Sequence, residues 1–173
     1  MRLINLIIFS FIFSFVYTQD SKKISEKYFP DLDIEVPTPA FDKKKGFTKY
    51  SEMIFFLDEL CKKYPNKVTY KYIGKSQMEK QIPMVFLGEN KIDNFKVCFM
   101  GGLHGNEPAS TEGMLFLINN LVKEDSLKYL VDNLNIAIIP MANIDGYEKQ
   151  SRYAYNGQDL NRDHTKLTNQ ETI

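Results

Sequence analysis

Two residues in the stretch GGLHGNEPAS, residues 101–110, could hold a metal ion. His104 offers an imidazole nitrogen, and Glu107 offers a carboxylate three positions later. A histidine with a carboxylate suits zinc better than calcium or magnesium, which prefer oxygen ligands alone. Catalytic zinc usually takes three protein ligands and leaves a fourth position open, so this pair supplies two at most. Taken alone, the H-x-x-E spacing also fits a polar loop histidine followed by a glutamate at the positive end of a helix.

A second polar cluster lies in MANIDGYEKQSRYAYNGQDLNRDH, residues 141–164. Asn143, Asp145 and Gly146 read as a turn, and Arg152, Asp159, Asn161 and Arg162 follow. A planar guanidinium presents two parallel donors and is the side chain best shaped to grip a carboxylate. An asparagine beside it adds directional hydrogen bonds. His164, the other histidine, falls in the same polar run and reads as a loop residue.

The flanking pattern explains how the clusters could meet. Apolar positions from Tyr50 to Tyr64 recur at helical spacing, and Pro65 stops that helix. KVTYKYIG alternates as a strand, KSQMEKQ is a turn, and IPMVFLG is a second strand. FKVCFMGG is a nearly continuous apolar run, which predicts a strand buried on both faces. STEGMLFLINNLVKE then predicts a helix and LNIAIIP a further buried strand. Interleaved strands and helices indicate an α/β domain, whose ligands gather beyond the carboxyl ends of its strands. Both polar clusters sit directly after such an end.

Composition bounds the remaining possibilities. The chain has 173 residues, 43% hydrophobic and 25% charged, with 22 basic against 22 acidic residues. That balance gives no support to a nucleic-acid or anionic-membrane partner. Residues 1–18 carry Arg2 and a short apolar run, and polar QDSKK follows at 19–23, which predicts a secretory signal peptide and a mature chain without a membrane span. Residues 19–46 are polar and broken by prolines, a leader to a domain expected at 47–173. Cys61 and Cys98 read as buried free thiols, with a bridge left open.

In this order HGNE, NIDGYE, the lone Arg152 and NGQDLNRD resemble the zinc metallocarboxypeptidase superfamily, the carboxypeptidase A-like peptidases of family M14. The likeness covers residues 47–168, the N-terminal half of such a domain. It implies a mixed central sheet with helices on both faces. It further implies His104 and Glu107 as zinc ligands, Arg152 as the cation that polarises the scissile carbonyl, and Asn161 and Arg162 as the grip on a peptide's terminal carboxylate. Asp159 would hold the non-metal nitrogen of His104. These roles come from the resemblance, as does the family's third ligand, a later histidine, and its later glutamate base. Neither has a counterpart before Ile173, so the expectation is that the chain is a piece of a longer, secreted or periplasmic enzyme. Two departures stand out: the family's S-x-E-G-R turn reads Ser76-Gln77-Met78-Glu79-Lys80, and Asp163-His164 replaces a common Asn-Phe. Related amide hydrolases of the aspartoacylase, succinylglutamate desuccinylase or murein peptide amidase kind share an HGNE-like motif. A non-catalytic carboxylate-binding module is the remaining alternative.

Overall fold

The computed structural model describes residues 21–30, 35–43 and 45–173, so the segment read as a signal peptide lies outside the described residues. Helix α1 (Ser21–Tyr28) belongs to a first unit that ends at Glu35. The second unit runs from Val36 to Ile173 and contains everything that follows. Its residues before Phe47 include Thr38, fully buried.

Helix α2 spans Tyr50–Lys63 and buries Met53, Leu57 and Leu60 along one stripe, the spacing of a single helical face. Glu52 accepts the backbone N–H of Lys49 at 2.7 Å and caps the first turn. Strands β1 (Val68–Lys75) and β2 (Gln81–Leu87) form an antiparallel hairpin. Strand β3 (Phe95–Met100) leads through a glycine-rich loop into α3 (Pro108–Lys123). A short helix α4 (Lys128–Asn133), which the periodicity does not reveal, precedes β4 (Leu134–Ile139) and the one-turn helix α5 (Ile144–Glu148). The strands lie in the order β1-β2-β4-β3, with β4 antiparallel to β2 and parallel to β3. This is a mixed α/β sheet with packed helices.

The register puts Val68, Leu87 and Ile136 in one row and Tyr70, Val85 and Ile138 in the next. With Leu57 from α2 and Leu115 and Ile118 from α3 they form one core cluster. Burial of each such side chain is worth about 1.5–3 kcal/mol, so both helices are held by the sheet rather than by propensity.

Two expectations are corrected here. Strand β3 is not buried on both faces: Phe95, Cys98, Phe99 and Met100 are exposed. Its apolar run pairs with β4 alone among the described strands, and α2 and α3 pack chiefly over β1, β2 and β4. Cys98 is consequently an exposed thiol, while Cys61 is half-buried, and both are free.

In the β1–β2 turn, Glu79 stands where the resembled pattern has glycine and adopts φ +63°. The left-handed region costs a residue with a Cβ about 1 kcal/mol. Hydrogen bonds from Glu79 N to Ser76 O (2.9 Å) and from Ser76 N to Lys80 O (2.8 Å) hold the turn in that shape. No described helix is long and apolar enough to cross a membrane.

Candidate active site

The parallel neighbours β3 and β4 release their chains side by side, and the two loops continue to pair. Gly101 N donates to Ile139 O at 2.8 Å, Ala142 N to Gly101 O at 3.0 Å, and Asn143 N to Gly102 O at 2.9 Å. Gly102 turns the first loop at φ +64°, where a Cβ would press on Met141 Cα and Thr111 Oγ1. His104 follows, and Glu107 N donates back to His104 O at 3.1 Å. Pro108 opens α3, a position where its missing N–H costs nothing, so Glu107 stands at the helix cap.

Asn143 caps α5 in the second loop: its Oδ1 accepts Gly146 N at 2.9 Å. Its Nδ2 donates to Leu103 O at 3.3 Å, beside His104. Asp145 accepts Ser76 Oγ at 2.8 Å and Met78 N at 2.9 Å, which ties the β1–β2 turn to the same helix. NIDGYE, read from sequence as a turn, is thus a capped helical turn with residues 144–147 buried.

Of the side chains singled out in the sequence, His104 and Arg152 converge on Asp159. Its Oδ1 lies 3.2 Å from His104 Nε2, and its Oδ2 accepts Arg152 Nε at 3.1 Å. Asn161 N donates to Oδ1 at 3.0 Å. Desolvation pushes the Asp159 carboxyl up, but the Asn161 amide, Arg152 and His104 outweigh it and hold the group below its ordinary value. A carboxylate only accepts, so a neutral His104 ring facing it carries its hydrogen on Nε2. The Nδ1 lone pair then points to Glu107, whose Oε1 is 3.2 Å away. In that tautomer Nδ1 and the Glu107 carboxylate are two electron-pair donors side by side that could hold a cation, and imidazole with carboxylate is a donor set that zinc accepts. Arg152 Nη1 stands 3.5 Å from the same Glu107 oxygen. No cluster of three or more possible ligands is assembled among the described residues.

Asn161 and Arg162 are brought next to this cluster by the backbone rather than by their side chains. Both are exposed, and Arg162 Nη1 donates to Asn161 O at 3.3 Å. Among the described residues Arg162 has no acidic partner, so its charge faces outward. His164 is exposed, in a loop, as the sequence suggests.

Residues 53–172 match the family described as zinc carboxypeptidase. The chain belongs to that family. This zinc carboxypeptidase chain is 30% identical over 145 residues to Carboxypeptidase 2 of Trichophyton tonsurans, covering 79% of its own length and 27% of the fungal protein. It therefore spans only about a quarter of that relative. Its fold matches carboxypeptidase A from Helicoverpa armigera with a TM-score of 0.60 and 25% identity, over 78% of this chain and 35% of the insect one. A metallo-carboxypeptidase from Burkholderia cenocepacia has the same fold, with a TM-score of 0.63 at 19% identity over 72% of this chain and 35% of that one.

Two residues of the zinc carboxypeptidase chain escaped the sequence reading as supports of this region, while Asn143, read there as part of a turn, proves to be a helix cap. Glu112 had a signal, since it lies three residues before Leu115 and so on the buried stripe of α3. Asp163 had only its place after Arg162.

Proposed function

We propose that this chain belongs to a secreted zinc-dependent metallocarboxypeptidase that releases the C-terminal residue of peptides. The observation that carries the reading is the Asp159 carboxylate, which orients His104 with one oxygen and Arg152 with the other. In this reading His104, through Nδ1, and Glu107 are zinc ligands; the metal, when bound, polarises a carbonyl and activates water. Arg152 supplies cationic donors to the negative charge that develops on the scissile carbonyl oxygen. Asn161 and Arg162 take the terminal carboxylate and so select chain ends over internal bonds. Asp159 fixes the tautomer and tilt of the ligand ring. Secretion rests on the signal-like residues 1–18.

The whole protein tests this. It should bind zinc one-to-one and free an amino acid from a blocked dipeptide with a free carboxylate, but not from the corresponding amide. Equal turnover of the two would favour the related amide hydrolases. Arg162→Ala should lower kcat/KM on the free-carboxylate substrate by about 2–3 kcal/mol, because a desolvated carboxylate is left without its cation, with zinc content unchanged. Asp159→Asn should weaken zinc by about 10- to 100-fold in a metal-buffered titration. Unaltered affinity would leave Asp159 as a turn residue.

A further inference from the structure

Asp163 follows Arg162 directly, yet it is 3% exposed while its neighbour faces solvent. Its Oδ2 accepts Thr168 N at 2.9 Å, Asn169 N at 2.8 Å, Asn169 Nδ2 at 2.8 Å and Thr172 Oγ1 at 2.5 Å. Its Oδ1 accepts Thr168 Oγ1 at 2.5 Å. So many donors on one buried carboxylate exceed what a turn needs. Desolvation pushes the Asp163 carboxyl up, but the bonds from Thr168, Thr172 and Asn169 overcome it and hold the group well below the usual carboxylate range.

The anchor reaches further through Asn169. Its Oδ1 accepts Gln77 Nε2 at 2.7 Å and Asn156 Nδ2 at 2.8 Å, and its Nδ2 donates to Gln158 Oε1 at 2.8 Å. Gln77 Oε1 in turn accepts Asn156 N at 3.1 Å. Asp163 is thereby bedded in a polar network that joins the β1–β2 turn, the loop around Gly157 and residues 168–172. The Asn161–Arg162 turn is therefore fastened by a carboxylate at each end: Asp159 before it, on His104 and Arg152, and Asp163 after it, on this network.

We propose that Asp163 is a positioning residue, which fixes the far end of the Asn161–Arg162 turn so that Arg162 is aimed at the substrate's carboxylate. The inference rests on the carboxylate grip proposed above. Three of the donors facing Asp163 are N–H groups, which cannot reverse their polarity. All three converge on Oδ2, so an alanine there would leave them without an acceptor and release the turn, whereas an asparagine could keep its carbonyl on them and turn its N–H₂ to the Thr168 hydroxyl. A misplacement of about 1 Å in such a group can cost up to about 100-fold in rate.

The test compares Asp163→Ala, Thr172→Val and Arg162→Ala in the whole protein, on a blocked dipeptide and its C-terminal amide, with zinc content and melting temperature measured alongside. Asp163→Ala is expected to raise KM for the free-carboxylate peptide about tenfold, with kcat within about twofold and full zinc, and to erode the preference over the amide. Thr172→Val, which removes one of the hydrogen bonds to Asp163, should raise KM about two- to threefold at a near-native melting temperature. A lower melting temperature without a KM change, in either variant while Arg162→Ala does raise KM, would overturn the positioning role and leave the grip intact. If Asp163→Ala does not fold, Thr172→Val decides by the same criterion. No discrimination by Arg162→Ala would overturn the grip itself, and this inference with it.

Discussion

Glu112→Ala should destabilise the unit by about 3–5 kcal/mol, a large loss for a side chain remote from the chemistry. Glu112 is on α3, little more than one turn after Glu107, and is 7% exposed. Its Oε1 accepts Thr48 N at 2.7 Å, and its Oε2 accepts Thr48 Oγ1 at 2.8 Å and Thr38 Oγ1 at 3.2 Å. Both threonines are fully buried, so truncation strands their donors away from water. Glu112→Gln keeps an acceptor for Thr48 N, and the hydroxyls can turn to accept its N–H₂, so it should lose under about 2 kcal/mol. Urea unfolding with unchanged slope measures both. A loss below about 1 kcal/mol for the alanine variant would show that residues 38–48 are held by something else.

Gly105→Ala is the second severe change. A Cβ at Gly105 would fall on the carbonyl group of Gly146 and the amide nitrogen of Tyr147, all backbone of the buried helix α5. No rotamer change relieves such a contact, so α5 and the loop that carries His104 and Glu107 must separate. The expected cost is above about 3 kcal/mol, beyond the usual range for overpacking, with zinc stoichiometry falling as His104 moves. Gly113→Ala is the control. That glycine lies mid-helix with no atom within 4 Å of an added Cβ, so alanine should stabilise by about 0.5–1 kcal/mol. Equal melting temperatures for the two variants would refute the close approach at Gly105.

Helix α2 and the four strands were legible because their apolar periods are those of single elements. That β3 pairs with β4 alone among the described strands was not, since FKVCFM reads alike whether one neighbour or two flank it. His104, Arg152 and Asp159 could be grouped from motif order, and they do meet. The supports of Glu112 and Asp163 could not be read, because their partners are scattered threonines and asparagines whose spacing carries no pattern. Position within α3 betrayed the burial of Glu112 but not what it holds.

Asp159 divides its carboxylate between an imidazole at 3.2 Å and a guanidinium at 3.1 Å. The two are then not independent parts of the protein. Any shift of the ring swings the carboxylate and drags the guanidinium, so changes at His104 and Arg152 cannot sum as separate losses. Residues that share one partner typically couple by about 0.5–3 kcal/mol. Under the proposed function, the affinity of the loop for its ion and the placement of the cation over a carbonyl would therefore be coupled through the orientation of one planar group.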